Sequence, residues 1–168
     1  MTIIICPGVH PPELTARFVR SLKLQDYLVL PTESCLPYNA IAVYQWLEQQ
    51  QLSKTQALSF MTFSAGVVGG FGAAIAWQLQ GGKIHSFIAF DGWGVPLMAN
   101  FPIYRISHDY FTHWSSALLG AGLGFYAEPA VEHLELWRSP NHLGWQIINS
   151  GWKTRNTLDN YLANVLNS

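Results

Sequence analysis

Charge is scarce in this chain. Nine Lys and Arg and ten Asp and Glu make up 11% of 168 residues and leave a formal net charge of −1. No basic run is present, which excludes nucleic acid as a partner, because phosphate contacts need clustered Lys and Arg. Long apolar runs are missing as well, so no transmembrane segment is expected. Met1-Thr2-Ile3-Ile4-Ile5-Cys6-Pro7 has neither the basic start nor the extended apolar region of a signal peptide. It reads as a first strand, and a cytoplasmic protein is expected. Cysteine is nearly absent: Cys6 and Cys35 follow expected strands, lack metal-ligand spacing and read as buried reduced thiols. Nothing in the sequence calls for a metal or a cofactor.

What is abundant is apolar surface. Hydrophobic residues form 49% of the chain and seven are Trp, more than a buried sheet needs. An exposed apolar face would serve as a homodimer contact, a lipid-facing surface or a substrate cleft. The length fits one domain over residues 1–168.

The patterning alternates. Ile3–Cys6 is a β-branched run closed by Pro7-Gly8, and Glu13–Leu22 follows with Leu14, Phe18 and Leu22 at helical spacing. Tyr27–Leu30 is a second strand, and Asn39–Gln50 a second helix. Ala57–Phe63 leads through Ser64 into a Gly/Ala-rich helix ending near Gln80. Ile84–Phe90 and Pro102–Ser107 are strands. His108–Ala127 is partly helical, broken by Gly120, Gly122 and Gly124. Leu134–Arg138 is expected as the last strand, followed by the loop Ser139–Gly144, and Asn156–Leu166 as a closing amphipathic helix. The expected fold is an α/β/α three-layer sandwich around a mainly parallel sheet of about six strands.

Thr62-Phe63-Ser64-Ala65-Gly66 is the most informative stretch. Strand, sharp turn and helix would lift the Ser64 hydroxyl above the C-terminal sheet edge, the geometry of a nucleophile elbow. The usual G-x-S-x-G pattern keeps small residues two places either side of the serine; Gly66 conforms and Thr62 departs. Catalytic groups gather at that same edge, which sorts the histidines. His85 and His133 fall where strands begin; His10, His108, His113 and His142 follow strands. A serine–acid–histidine order makes His142 the base, with Asp91 or Asp109 as the carboxylate that orients it. Asp91-Gly92 alternatively reads as an Asx turn and Asp109 as a helix N-cap. Oxyanion donors would be the Ala65 amide and one from Pro7-Gly8-Val9-His10, at Val9 or His10.

These stretches resemble the α/β-hydrolases, in particular the branch of platelet-activating-factor acetylhydrolases and related lipases. Asp91-Gly92-Trp93-Gly94-Val95-Pro96-Leu97 is similar to that branch's Asp-x-Trp-x-x-Pro-Leu segment, which implies Asp91 as the triad acid. The resemblance also implies His142 as the base and the Val9 amide as the second oxyanion donor, with Pro7 where the family has histidine. It is a compact likeness, with no large cap. The expected activity is hydrolysis of a small-molecule acyl substrate (an ester, thioester or lipid acyl group) by Ser64, His142 and Asp91. Val9 and Ala65 would form the oxyanion hole, and His10 and Trp93 would line the pocket. Two further expectations stand beside it: an inactive α/β-hydrolase-like binding protein, and an acyltransferase using the same residues.

Overall fold

In the computed structural model, which describes residues 1–120, 123–149 and 152–168, the sheet is built around strands covered on both faces. β1 (Thr2–Cys6) is buried at all five positions, as a central parallel strand must be. Its pleat divides the core: Ile3 and Ile5 point into one cluster with Phe18, Trp137 and Leu162, while Ile4 and Cys6 point into another with Leu47, Val67 and Trp77. Helices α1 (Pro12–Ser21), α5 (His133–Arg138) and α6 (Leu158–Asn167) supply the first cluster. Helices α2 (Ala40–Gln49) and α3 (Ala65–Leu79) supply the second.

The strands between them are β2 (Tyr27–Val29), β3 (Ala57–Phe63), β4 (Lys83–Phe90), β5 (Ile103–Ser107), β6 (Gly124–Ala127), β7 (Leu143–Asn149) and β8 (Trp152–Thr157). They form one sheet in the order β2-β1-β3-β4-β5-β6-β7-β8. Pairings from β2 to β6 are parallel, and those of β6 with β7 and β7 with β8 are antiparallel. The α/β class and the mainly parallel sheet agree with the sequence. The strand count does not: eight strands stand among the described residues against about six expected.

The difference lies after β5. Leu134–Arg138 is not a strand but lies within α5. A strand would bury alternate residues, whereas here the neighbours Leu136 and Trp137 are buried and Leu134 is exposed. Trp137 stacks on Phe18 and Phe63 and donates its indole N–H to Thr15 Oγ1 at 3.0 Å, which fixes α5 against α1. Gly124 opens β6, where a side chain would lie 1.9 Å from the Arg105 carbonyl. Gly122 lies outside the described residues.

Helix α4 (Tyr110–Ala117) is turned inside out. Thr112, His113 and Ser116 face inward, while Tyr110, Phe111 and Trp114 face solvent. Burial, reinforced by Arg105, pushes the His113 imidazole down to about 4, so it is neutral at neutral pH. Arg105 is itself buried and serves as a bracket for the loops. Its guanidinium donates to the carbonyls of Gly120 (2.8 Å) and Val95 (2.9 Å), with longer contacts to Gly92 and Leu119. Burial lowers Arg105 to about 10, which still leaves it charged at neutral pH.

Tight packing at the β3–α3 turn explains how Thr62 is tolerated. Its hydroxyl donates to Ile88 O at 3.1 Å, and its methyl fills the space above Gly70, where a Cβ would meet Thr62 Cγ2 at 2.7 Å. At Gly66 a Cβ would lie 2.2 Å from Cys6 O and 2.4 Å from Pro7 O, both backbone atoms. Gly66→Val therefore loses about 3 kcal/mol of unfolding free energy in urea titration, far more than an exposed helix substitution. Arg105→Met leaves buried carbonyls unpaired and costs about 2–4 kcal/mol by the same measurement.

Candidate functional site

β3 ends in a conformation that few side chains adopt. Ser64 has φ 52° and ψ −119°, a region costing about 1–3 kcal/mol for a non-glycine residue. The turn is held from three sides. Ser64 N–H donates to Phe90 O at 2.9 Å, Val67 N–H returns to Ser64 O at 3.0 Å, and the β1–α1 loop presses close. A Cβ on Gly8 would come within 3.1 Å of Ser64 Cβ. The side chain of Ser64 is thereby set at the N-terminus of α3 without capping it.

One strand over, Asp91 follows β4 with φ 47° and is 6% exposed. Its N–H donates to Ile106 O at 2.8 Å. Three donors converge on its carboxylate. His108 gives its backbone N–H to Oδ1 at 3.0 Å and its Nδ1–H to Oδ2 at 2.9 Å; His133 gives its Nδ1–H to Oδ2 at 2.7 Å. Burial pushes the Asp91 carboxyl up, but the hydrogen bonds from the two histidines outweigh it and hold the group below its ordinary value. It is therefore ionised at neutral pH, and both imidazoles carry their Nδ1 proton.

The two histidines differ in their second nitrogen. His108 Nε2 lies 3.6 Å from Asp109 Oδ2, so both ends of that ring face carboxylates. The Asp91 hydrogen bond raises the His108 pKa, with Asp109 and Glu132 adding to it against a smaller opposing effect of burial. His133 opens α5, stacks on Phe63 at 4.7 Å between ring centroids, and gives its Nε2 no protein partner among the described residues.

Ser64, Ala65, Asp91, Trp93, His108 and His133 line one cavity of about 390 Å³, with Val68, Val95 and Thr112 completing its wall. The sequence-derived residues divide accordingly. Ser64, Asp91, Ala65 and Trp93 are brought together. His142 is not: its Nε2–H donates to Glu135 O at 3.0 Å, and it does not line the cavity. His133, placed by the sequence at the wrong sheet end, takes the position on Asp91 that His142 was expected to hold. The correction follows from α5 being a helix, whose first residue sits after β6 at the C-terminal edge. Asp109 caps α4, accepting Thr112 N–H at 2.6 Å, and reaches His108 rather than His142.

His10 lies across Phe63, hydrogen-bonded to Thr15 Oγ1 at 3.4 Å, and lines a different, larger cavity of about 620 Å³. Val9 is 74% exposed in the loop after β1. No protein acceptor pairs with the N–H of Val9 or Ala65 among the described residues. Cys6 and Cys35 are free and buried, and burial raises both thiols.

Asp91, His108 and His133 also offer a carboxylate and two imidazoles whose ligand atoms lie within 4.8 Å of one another. The donor set is one a divalent zinc-type ion accepts. Each imidazole already spends its Nδ1–H on the carboxylate, so the cluster is satisfied without an ion. No family model matches this chain, and no curated protein matches it.

The raised His108 pKa makes stability depend on pH. His108 contributes fully below its unfolded value of 6.5, and the contribution is lost as pH rises through the folded value. Asp91, with its folded value depressed, contributes above 3.8 and loses this as pH falls through the folded value. In thermal unfolding from about pH 5 to about pH 9, the stability gap between wild type and His108→Asn narrows on the alkaline side. A gap constant over that span refutes the ion pair.

Proposed function

We propose that the protein is a cofactor-free serine hydrolase of the α/β-hydrolase type, cleaving a small carboxylic ester, thioester or lipid acyl group. The observation that carries this reading is the cavity that a strained, half-buried serine shares with an imidazole already oriented by a buried carboxylate. Ser64 is the nucleophile, His133 the base and Asp91 the orienting acid.

The choice of His133 over His108 rests on the free nitrogen. A base needs an unprotonated nitrogen toward the hydroxyl. His133 has its Nδ1–H fixed on Asp91 and leaves Nε2 available, whereas the Nε2 of His108 faces the Asp109 carboxylate at 3.6 Å. The order serine, acid, histidine along the chain is retained, as α/β-hydrolases have it.

Ser64 Oγ attacks the acyl carbon while its proton passes to His133 Nε2. The resulting imidazolium is stabilised by Asp91. As the tetrahedral oxyanion collapses, the bond to the leaving oxygen or sulfur breaks and that atom takes the proton. Water then repeats the sequence on the acyl-enzyme, releasing the acid and restoring Ser64. The unpaired Ala65 N–H at the start of α3 is the first oxyanion donor, and the N–H of Val9 beside Gly8 is the second. Trp93 and Val68 give the cavity an apolar wall suited to an acyl chain.

An inactive binding protein remains a second reading, because Thr62 and Pro7 replace residues usual at such sites. A fluorophosphonate probe with a panel of nitrophenyl esters separates the two. Ser64→Ala abolishes labelling; His133→Gln lowers labelling and turnover roughly 10²–10⁴-fold; His142→Gln changes neither appreciably. An unlabelled wild-type protein overturns the enzyme reading. Equal loss in His142→Gln but not His133→Gln overturns the choice of base.

A further inference from the structure

The outer edge of β2 is open. Ile3 N–H donates to Asp26 O and Leu30 N–H to Ile5 O, each at 2.9 Å, with Leu28 opposite Ile4. Residues 26, 28 and 30 thus spend their backbone groups on β1. The N–H and C=O of Tyr27 and Val29 point away from the sheet, where no further strand stands among the described residues. β2 is only three residues long, but neither outward residue carries a charge and no proline lies within the strand, so two of the usual protections of an edge are missing. The side chains of both are exposed and line the 620 Å³ cavity, an open groove walled by Ala16, Val19 and Leu24 of the α1 side.

Charge along this groove is arranged in opposite senses at its two ends. α1 leads from the end of β1 back to the start of β2, a parallel neighbour. Arg20 and Lys23 therefore lie where β2 begins, and Glu33 lies where it finishes. All three are exposed, and none forms an ion pair among the described residues. Asp26, the acid at the basic end, accepts the Thr2 hydroxyl at 2.7 Å and is drawn toward β1.

We propose that this edge pairs with the same edge of a second copy of the chain, about a two-fold axis at Leu28. In that antiparallel arrangement Tyr27 faces Val29 of the partner subunit, and the two pairs form four N–H···O=C hydrogen bonds from their free backbone groups. The two α1 grooves merge over Tyr27 and Val29 into one apolar seam. The basic end of each groove meets the acidic end of the other, so Glu33 faces Lys23 of the partner subunit and the contact is self-complementary. Pro31, the next outward position, has no N–H to give, which holds the register. The claim does not depend on the activity proposed above.

Sedimentation velocity of the full chain at tens of micromolar tests it, with circular dichroism of each variant as the folding control. Wild type sediments as a dimer. Glu33→Arg sets like charges together at both ends and weakens the dimer about tenfold, and Lys23→Glu added to it restores association. Val29→Pro removes one outward donor from each chain without touching the β1 pairing and gives monomer. A monomeric wild type overturns the proposal. So does a dimer indifferent to Glu33→Arg, a charge swap that restores nothing, or a dimer lost only when Phe111 and Trp114 of α4 become serine.

Discussion

Everything at the sheet's C-terminal edge depends on one buried anion. The Asp91 carboxylate draws a backbone N–H and an imidazole from the end of β5 and a second imidazole from the start of α5. These segments are far apart in sequence, and backbone bonds from Asp91 N–H to Ile106 O and from Val131 N–H to His108 O hold them beside one another. Burial of the carboxylate makes its satisfaction obligatory, since an unpaired buried charge costs several kcal/mol. The same requirement that stabilises the fold therefore orients His133 toward the serine cavity. Under the proposed mechanism, structure and chemistry share a single anchor.

His108 enters this arrangement as a support. It holds both oxygens of the carboxylate at once, and Asp109 stands behind its far nitrogen. The proposed base is thereby left one nitrogen free, a division of labour between two similar rings that depends on which carboxylates each one faces.

Up to β5 the architecture was legible because apolar patterning and Gly/Pro breaks alternate cleanly. Ser64, Asp91 and Trp93 could be placed at one edge because each directly follows a long, strongly apolar strand. The rest was hidden for identifiable reasons. β6 is four residues long and begins at a glycine, and β8 is polar and exposed along most of its length. Leu134-Glu135-Leu136 alternates like a strand, and a strand there would place His133 at the opposite sheet end and leave its place to His142. The adjacent apolar pair Leu136-Trp137, with Glu132 and Glu135 just before it, was the available sign of a short helix. Arg105 gave no sequence signal at all, because an isolated arginine in an apolar strand does not reveal which carbonyls it will gather.

Thr62 and Gly70 make a final point about what can vary here. The room that a glycine would provide in the strand is supplied instead from the helix, nearly two turns beyond the serine, where the Thr62 methyl occupies the volume a larger residue at 70 would need. The two positions behave as one steric unit, so drift at either is conditional on the other. Among related chains, a bulkier residue at 70 is to be sought where 62 has become small, and such covariation would mark this turn independently of any chemistry performed above it.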